Sequence, residues 1–162
     1  MRCLVGPTGF VRSAPDKTKG VEDAHNVWDE LPDWGGVGAR RLVRAGSLGG
    51  SVWEIQPGQG QFVYHFHYAS EELLVVLRGA PTVHMYDGDH QLKEGDVVGF
   101  PLGPEGGHQI RNERDEPARV LIVSTNADPD VAEYDSGKVG VWIGGSGRFF
   151  RVDDAVEHSG RE

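Results

Sequence analysis

Four residues of the types that hold first-row metal ions recur at intervals able to bring them to one point: His65, His67, Glu72 and His108. His65 and His67 stand two apart in a strand-like run from 61 to 68, rich in Phe, Val and Tyr. Period two puts both imidazoles on one face of a strand. Glu72 opens the next apolar run, and His108 follows a Gly/Pro-rich loop at 101–107. Neutral imidazole and carboxylate are ligands for iron, manganese, nickel and zinc. Three imidazoles and one carboxylate leave one or two positions on a five- or six-coordinate ion, where water, oxygen or a chelating substrate would bind. Glu71 competes with Glu72, because residues 73–77 are apolar on both faces and periodicity does not choose between the two carboxylates.

The elements that must position these side chains read as short strands. Candidates lie at 41–44, 51–55, 61–68, 72–77, 82–86, 97–100, 109–112 and 119–124. Asp87-Gly88 and Glu94-Gly95-Asp96 are turn signals. With 24 Gly and nine Pro, punctuation is frequent, and no long amphipathic period appears. Regularly spaced short strands suggest an all-β sandwich or barrel. Residues 1–38 read as an N-terminal extension packing on the barrel, 39–126 as the barrel, and 127–162 as a C-terminal extension with a polar tail, in which 128–134 form a helical turn.

At the candidate ligands the chain resembles the cupin superfamily. The run GQFVYHFHYASEELLVVLRG at 60–79 holds the His-x-His pair, a Glu after four intervening residues and a Gly after six more. The run GDVVGFPLGPEGGHQIRN at 95–112 holds Gly, then Pro-x-Gly, then the third His and an Asn. The paired motifs are far more specific than a lone His-x-His, which is more often an exposed strand pair. The family spacing to Gly79 favours Glu72 over Glu71 as the fourth ligand. The loop from Gly103 to His108 is two residues longer than the usual pattern. The resemblance implies an antiparallel jelly-roll β-barrel with one divalent transition metal near an open end. It implies a small-molecule enzyme, either a dioxygenase, an isomerase or epimerase, or a lyase. The alternative is a non-catalytic module that binds or senses a small molecule, since this fold hosts many chemistries.

Other residues are weighed for the pocket. Trp53, His84 and Tyr86 are candidates for its lining, although a strand Trp is commonly core and His84 with Tyr86 fits an ordinary surface pair. Arg78 shares the parity of Glu72 and could point inward as a phosphate anchor, whereas Arg111 should point out. Asn112 is read as structural. Gly144–Gly147 lacks the βαβ unit of a dinucleotide fingerprint.

Composition narrows the partners. A net charge of −9 over 162 residues disfavours nucleic acid and anionic lipid surfaces. The single Cys3 forms no internal disulfide, and no run approaches a membrane span or a signal peptide. The expectation is a cytoplasmic protein with a small-molecule ligand, paired as a homodimer.

Overall fold

The computed structural model describes residues 24–32 and 37–156; most of the expected N-terminal extension, and the end of the C-terminal tail, lie outside them. Among the described residues there are twelve strands: β1 Val37–Ala45, β2 Leu48–Ile55, β3 Gly60–His67, β4 Glu72–Arg78, β5 Thr82–Met85, β6 Gly88–Gln91, β7 Val97–Phe100, β8 His108–Arg111, β9 Ala118–Ser124, β10 Asp130–Tyr134, β11 Lys138–Ile143 and β12 Ser146–Arg151. They form two antiparallel sheets, a five-stranded one in the order β1-β2-β9-β4-β7 and a seven-stranded one in the order β12-β11-β10-β3-β8-β5-β6. This is the expected all-β jelly-roll architecture.

Alternation along the strands builds the core. Ile55, Leu74, Val76, Val83, Leu92, Phe100, Ile110, Val120 and Ile122 are buried together between the sheets. Each such side chain removed from water stabilises by roughly 1.5–3 kcal/mol, which is why the register of the strands beneath the ligands is fixed. Gly79 ends β4 at a positive φ of 83°. A Cβ there would also lie 3.0 Å from the Pro117 oxygen, so this turn requires glycine. Asn112 is fully buried and structural: its Nδ2 donates to the carbonyls of Ile55 and Glu116, at 2.9 and 2.8 Å.

Two expectations are corrected. Residues 128–134 do not form a helical turn; Asp130–Tyr134 is β10, whose Ala132, Glu133 and Tyr134 pair with His67, Phe66 and His65 of β3. Pairing with a strand more than sixty positions away overrides the weak local preference of so short a segment. Arg78 does not reach the pocket. The register of β4 against β9 shifts between Val76 and Arg78, which breaks the parity with Glu72, and Arg78 pairs instead with Glu54, 3.1 Å away. Arg119, beside it, donates to the carbonyls of Val27 and Asp29, and so holds residues 24–32 against the five-stranded sheet.

Candidate metal centre

The two sheets bring the four expected ligands together from opposite sides. His65 and His67 come from β3, and His108 from the neighbouring β8, directly across from His65. Glu72 opens β4 in the facing sheet, between Phe100 and Ser124 of its flanking strands. His65, His67 and Glu72 each offer one ligand atom such that all three lie within 4.8 Å of one another. Nε2 of His108 is 3.4 Å, and Nε2 of His67 3.9 Å, from Oε2 of Glu72. Glu71 takes no part: its backbone N–H and carbonyl bond to Thr125 at the sheet edge.

All three imidazoles are held by the same device. Nδ1–H of His65 donates to the Val63 carbonyl at 3.0 Å, that of His108 to the Gly106 carbonyl at 2.9 Å, and that of His67 to Oδ2 of Asp130 at 2.6 Å. A carbonyl or ionised carboxylate can only accept, so each Nδ1 carries a proton, and Nε2 of His65 and of His108, which burial keeps neutral, carries a lone pair. Such partners of the second ring nitrogen orient metal-ligating histidines. The loop that exceeds the usual motif length supplies one of them: it folds as a 3-10 turn at Pro104–Gly106, and its Gly103 N–H donates to the His67 carbonyl at 2.7 Å.

Asp130 and its neighbours were not singled out by sequence reasoning. Oδ1 of Asp130 accepts from the backbone N–H of Ala69 and of Val131, at 3.1 and 2.8 Å, which fixes its other oxygen on His67. Tyr134 stacks on His65 with ring centroids 5.3 Å apart, Phe100 stacks on His108 at 3.7 Å, and Trp142 leans on His67 at 6.3 Å. Alternation from Asp130 through Ala132 to Tyr134 is the signal that could have revealed β10.

Burial dominates the electrostatics. It pushes His65 down to about 4 and His108 to about 3, partly offset by their carbonyl hydrogen bonds, so both stay neutral at physiological pH. Burial also raises the Glu72 carboxyl; His67 opposes that and Asp130 adds to it. A depressed histidine value means that the unfolded chain takes up protons the native state refuses. The stability contributed by neutral His65 and His108 is therefore complete above about pH 6.5, and is lost as pH falls through about 4 and then 3. Urea unfolding of metal-free protein should show a steady loss of stability from about pH 6.5 to 4, shallower in His108→Gln. Equal slopes for the parent and the variant would refute this.

Beside the cluster lies a cavity of about 490 Å³, bordered by His67, Glu72, Trp53, Asn126, Asp130 and Trp142 among others. Of the residues expected at the pocket, Trp53 lines this cavity. His84 and Tyr86 do not: pairing of Met85 with His108 turns His84 to the outer face by period two, where it bonds to Asp89 at 2.6 Å. Tyr86 lies in the following turn, 70% exposed.

Comparison with known proteins agrees with this fold. Residues 51–124 match a family described as Cupin domain. A sugar phosphate isomerase of the cupin superfamily from Silicibacter pomeroyi is similar in structure, with a TM-score of 0.68 and 26% identity over 78% of this chain and 83% of that one. A protein from Acidithiobacillus ferrooxidans, provisionally named a sugar phosphate isomerase, matches with a TM-score of 0.68 and 27% identity over 78% of this chain and 81% of its own. An uncharacterized protein of Methanocaldococcus jannaschii is 30% identical over 70 residues, 43% of this chain. This chain thus spans about half the length of that curated relative, 54%.

Proposed function

We propose that this chain, whose residues 51–124 match a family described as Cupin domain, is a metal-dependent enzyme acting on a small chelating hydroxycarbonyl compound, with His65, His67, Glu72 and His108 as the metal ligands. The observation that carries this reading is the convergence of three imidazoles and one carboxylate on one point. With Nδ1 of each imidazole engaged elsewhere, Nε2 of His108 and of His67 face the carboxylate oxygen of Glu72 at 3.4 and 3.9 Å. Imidazole nitrogens and a carboxylate that converge in a largely buried space are a donor set suited to a first-row divalent ion.

A bound divalent ion would polarise a substrate carbonyl and acidify the adjoining C–H and O–H groups. The chain supplies the rest. Asp130 keeps His67 in one tautomer and one orientation. Phe100 and Tyr134 close the flanks of His108 and His65 and limit the approach of water. Asp128, on the wall of the same cavity, is a titratable group outside the ligand set, and we assign it the proton transfer that an enzyme needs and a passive binding module does not. The names carried by the two structural neighbours support isomerisation of a sugar-like compound within this class. We also retain the homodimer and the cytoplasm as parts of the proposal.

The test is solvent exchange. Metal-loaded protein incubated in D2O with small hydroxyaldehydes and hydroxyketones should introduce deuterium at the carbon next to the carbonyl, seen by NMR, and Asp128→Asn should slow that exchange by about a hundredfold or more. Metal bound at one equivalent without exchange into any such compound would favour the binding-module reading. Failure to bind metal after reconstitution would end the metal-dependent reading altogether.

A further inference from the structure

The cavity's own residues bear on what the substrate carries besides its chelating group; this inference rests on the reading of that cavity as the substrate site. Three carboxylates, Glu72, Asp128 and Asp130, border it, and among its described lining residues there is no Arg or Lys. A divalent ion facing three carboxylates leaves the described part of the wall net negative. A phosphate dianion entering there would meet like charge in a partly desolvated space, where such repulsion is costly. Arg78, the residue with which a phosphate anchor was associated, is spent on Glu54.

The remaining wall suits hydroxyl groups. Asn126 has a backbone φ of +44°, the one non-glycine residue in that region among those described. Strained backbone of this kind concentrates at binding sites. The protein also clears space for the amide: a Cβ on Gly49 would come within 2.1 Å of its Nδ2. One N–H of that amide donates to the Ser124 carbonyl at 3.0 Å. Its second N–H and its carbonyl oxygen, one donor and one acceptor, are the pair that reads a hydroxyl. Trp53 and Trp142 add flat apolar faces against which the C–H side of a compact polyol can lie. Carboxylates accept from hydroxyl donors as readily as they repel phosphate.

We infer that the cavity takes an uncharged polyhydroxy carbonyl compound, positioned by Asn126, in preference to its phosphorylated counterpart. The preference separates this chain from the substrate class named for its two structural neighbours.

The experiment titrates full-length, metal-loaded protein by calorimetry with matched pairs: ribose and ribose 5-phosphate, fructose and fructose 6-phosphate, glucose and glucose 6-phosphate. The neutral member of at least one pair should bind tenfold or more tightly than its phosphate ester. Asn126→Gly, which keeps the left-handed backbone and deletes the amide, should weaken that binding about tenfold with an unchanged melting temperature and metal content, and Asp128→Asn should narrow the gap within the pair. Tighter binding of the esters would overturn the inference, as would neutral binding indifferent to Asn126→Gly, or no neutral sugar bound at all. Metal content, measured on the same samples, reports separately on the ligand set: sugar binding without metal would overturn the metal reading and leave this one standing.

Discussion

Glu72→Gln is expected to lower affinity for a divalent transition metal by at least about a hundredfold, the upper end of what loss of an outer-sphere partner costs, and yet to leave the metal-free protein as stable as the parent or more so. The two halves have one cause. Glu72 is largely buried, with its carboxylate oxygen beside the Nε2 atoms of His67 and His108. Burial raises its carboxyl above the ordinary range, so its charged form is disfavoured in the native state. A raised folded value means that the group's contribution is intact below about pH 4.3, the unfolded value, and is lost as pH rises through the folded value. At neutral pH a neutral amide of the same shape removes that cost, while it also removes the anionic ligand. Metal content by mass spectrometry after reconstitution, with urea unfolding of the apo-protein at pH 7.5, reads both. If the variant instead loses more than about 2 kcal/mol of apo-stability, as when one partner of a needed buried pair is removed, Glu72 is a structural residue. If metal is retained, the ligand set is misassigned.

That contrast separates function from folding because Glu72 is not part of the apolar core. The core residues, from Ile55 to Ile122, alternate along the strands of both sheets, and their periodicity was legible: eight of the strands fall where turn residues and apolar alternation place them. The ligands were legible for a different reason. His65 and His67 share a face by period two, and their spacing to Glu72, Gly79 and His108 fits the resemblance. What local pattern could not convey was anything decided by pairing at long range. Asp130 stands 63 residues from the imidazole it orients, in a five-residue strand too short to declare itself. Trp142 reaches the cavity because β10 and β11 extend the sheet past β3, and Asn126 reaches it from the turn after β9, where its amide holds the Ser124 carbonyl. Arg78 was misplaced by a single register shift, which inverts a side chain's face without leaving a mark in composition. His84 and Tyr86 were offered together on parity alone. Parity sets a side chain's face but not which face the barrel encloses, and in this barrel theirs is the outer one.

Gly106→Ala should have the second large effect, and it tests whether the long loop before His108 serves the site. Gly106 is buried in the 3-10 turn, and a Cβ there would lie 1.8 Å from the Pro101 oxygen and 2.8 Å from its carbonyl carbon. No side-chain rotation relieves a clash with backbone, so the turn must move. Overpacking of this kind costs about 1–3 kcal/mol. The same residue's carbonyl accepts the Nδ1–H of His108, and the N–H of Gly103, at the start of the turn, holds the His67 carbonyl. Displacing the turn therefore loosens two ligands at once, and metal affinity should fall by about ten- to hundredfold, the range for losing an orienting partner. Gly103→Ala provides the comparison: it lies in the same loop at a φ of +77°, but a Cβ there meets nothing within 4 Å. With ψ at −169° its cost should be backbone strain of about 1–3 kcal/mol, with a smaller loss of metal. Calorimetric metal titration of both variants, beside thermal unfolding without metal, distinguishes the cases. If Gly106→Ala binds metal as tightly as the parent, His108 does not depend on the turn for its orientation, and the extra loop length is unconnected with the site.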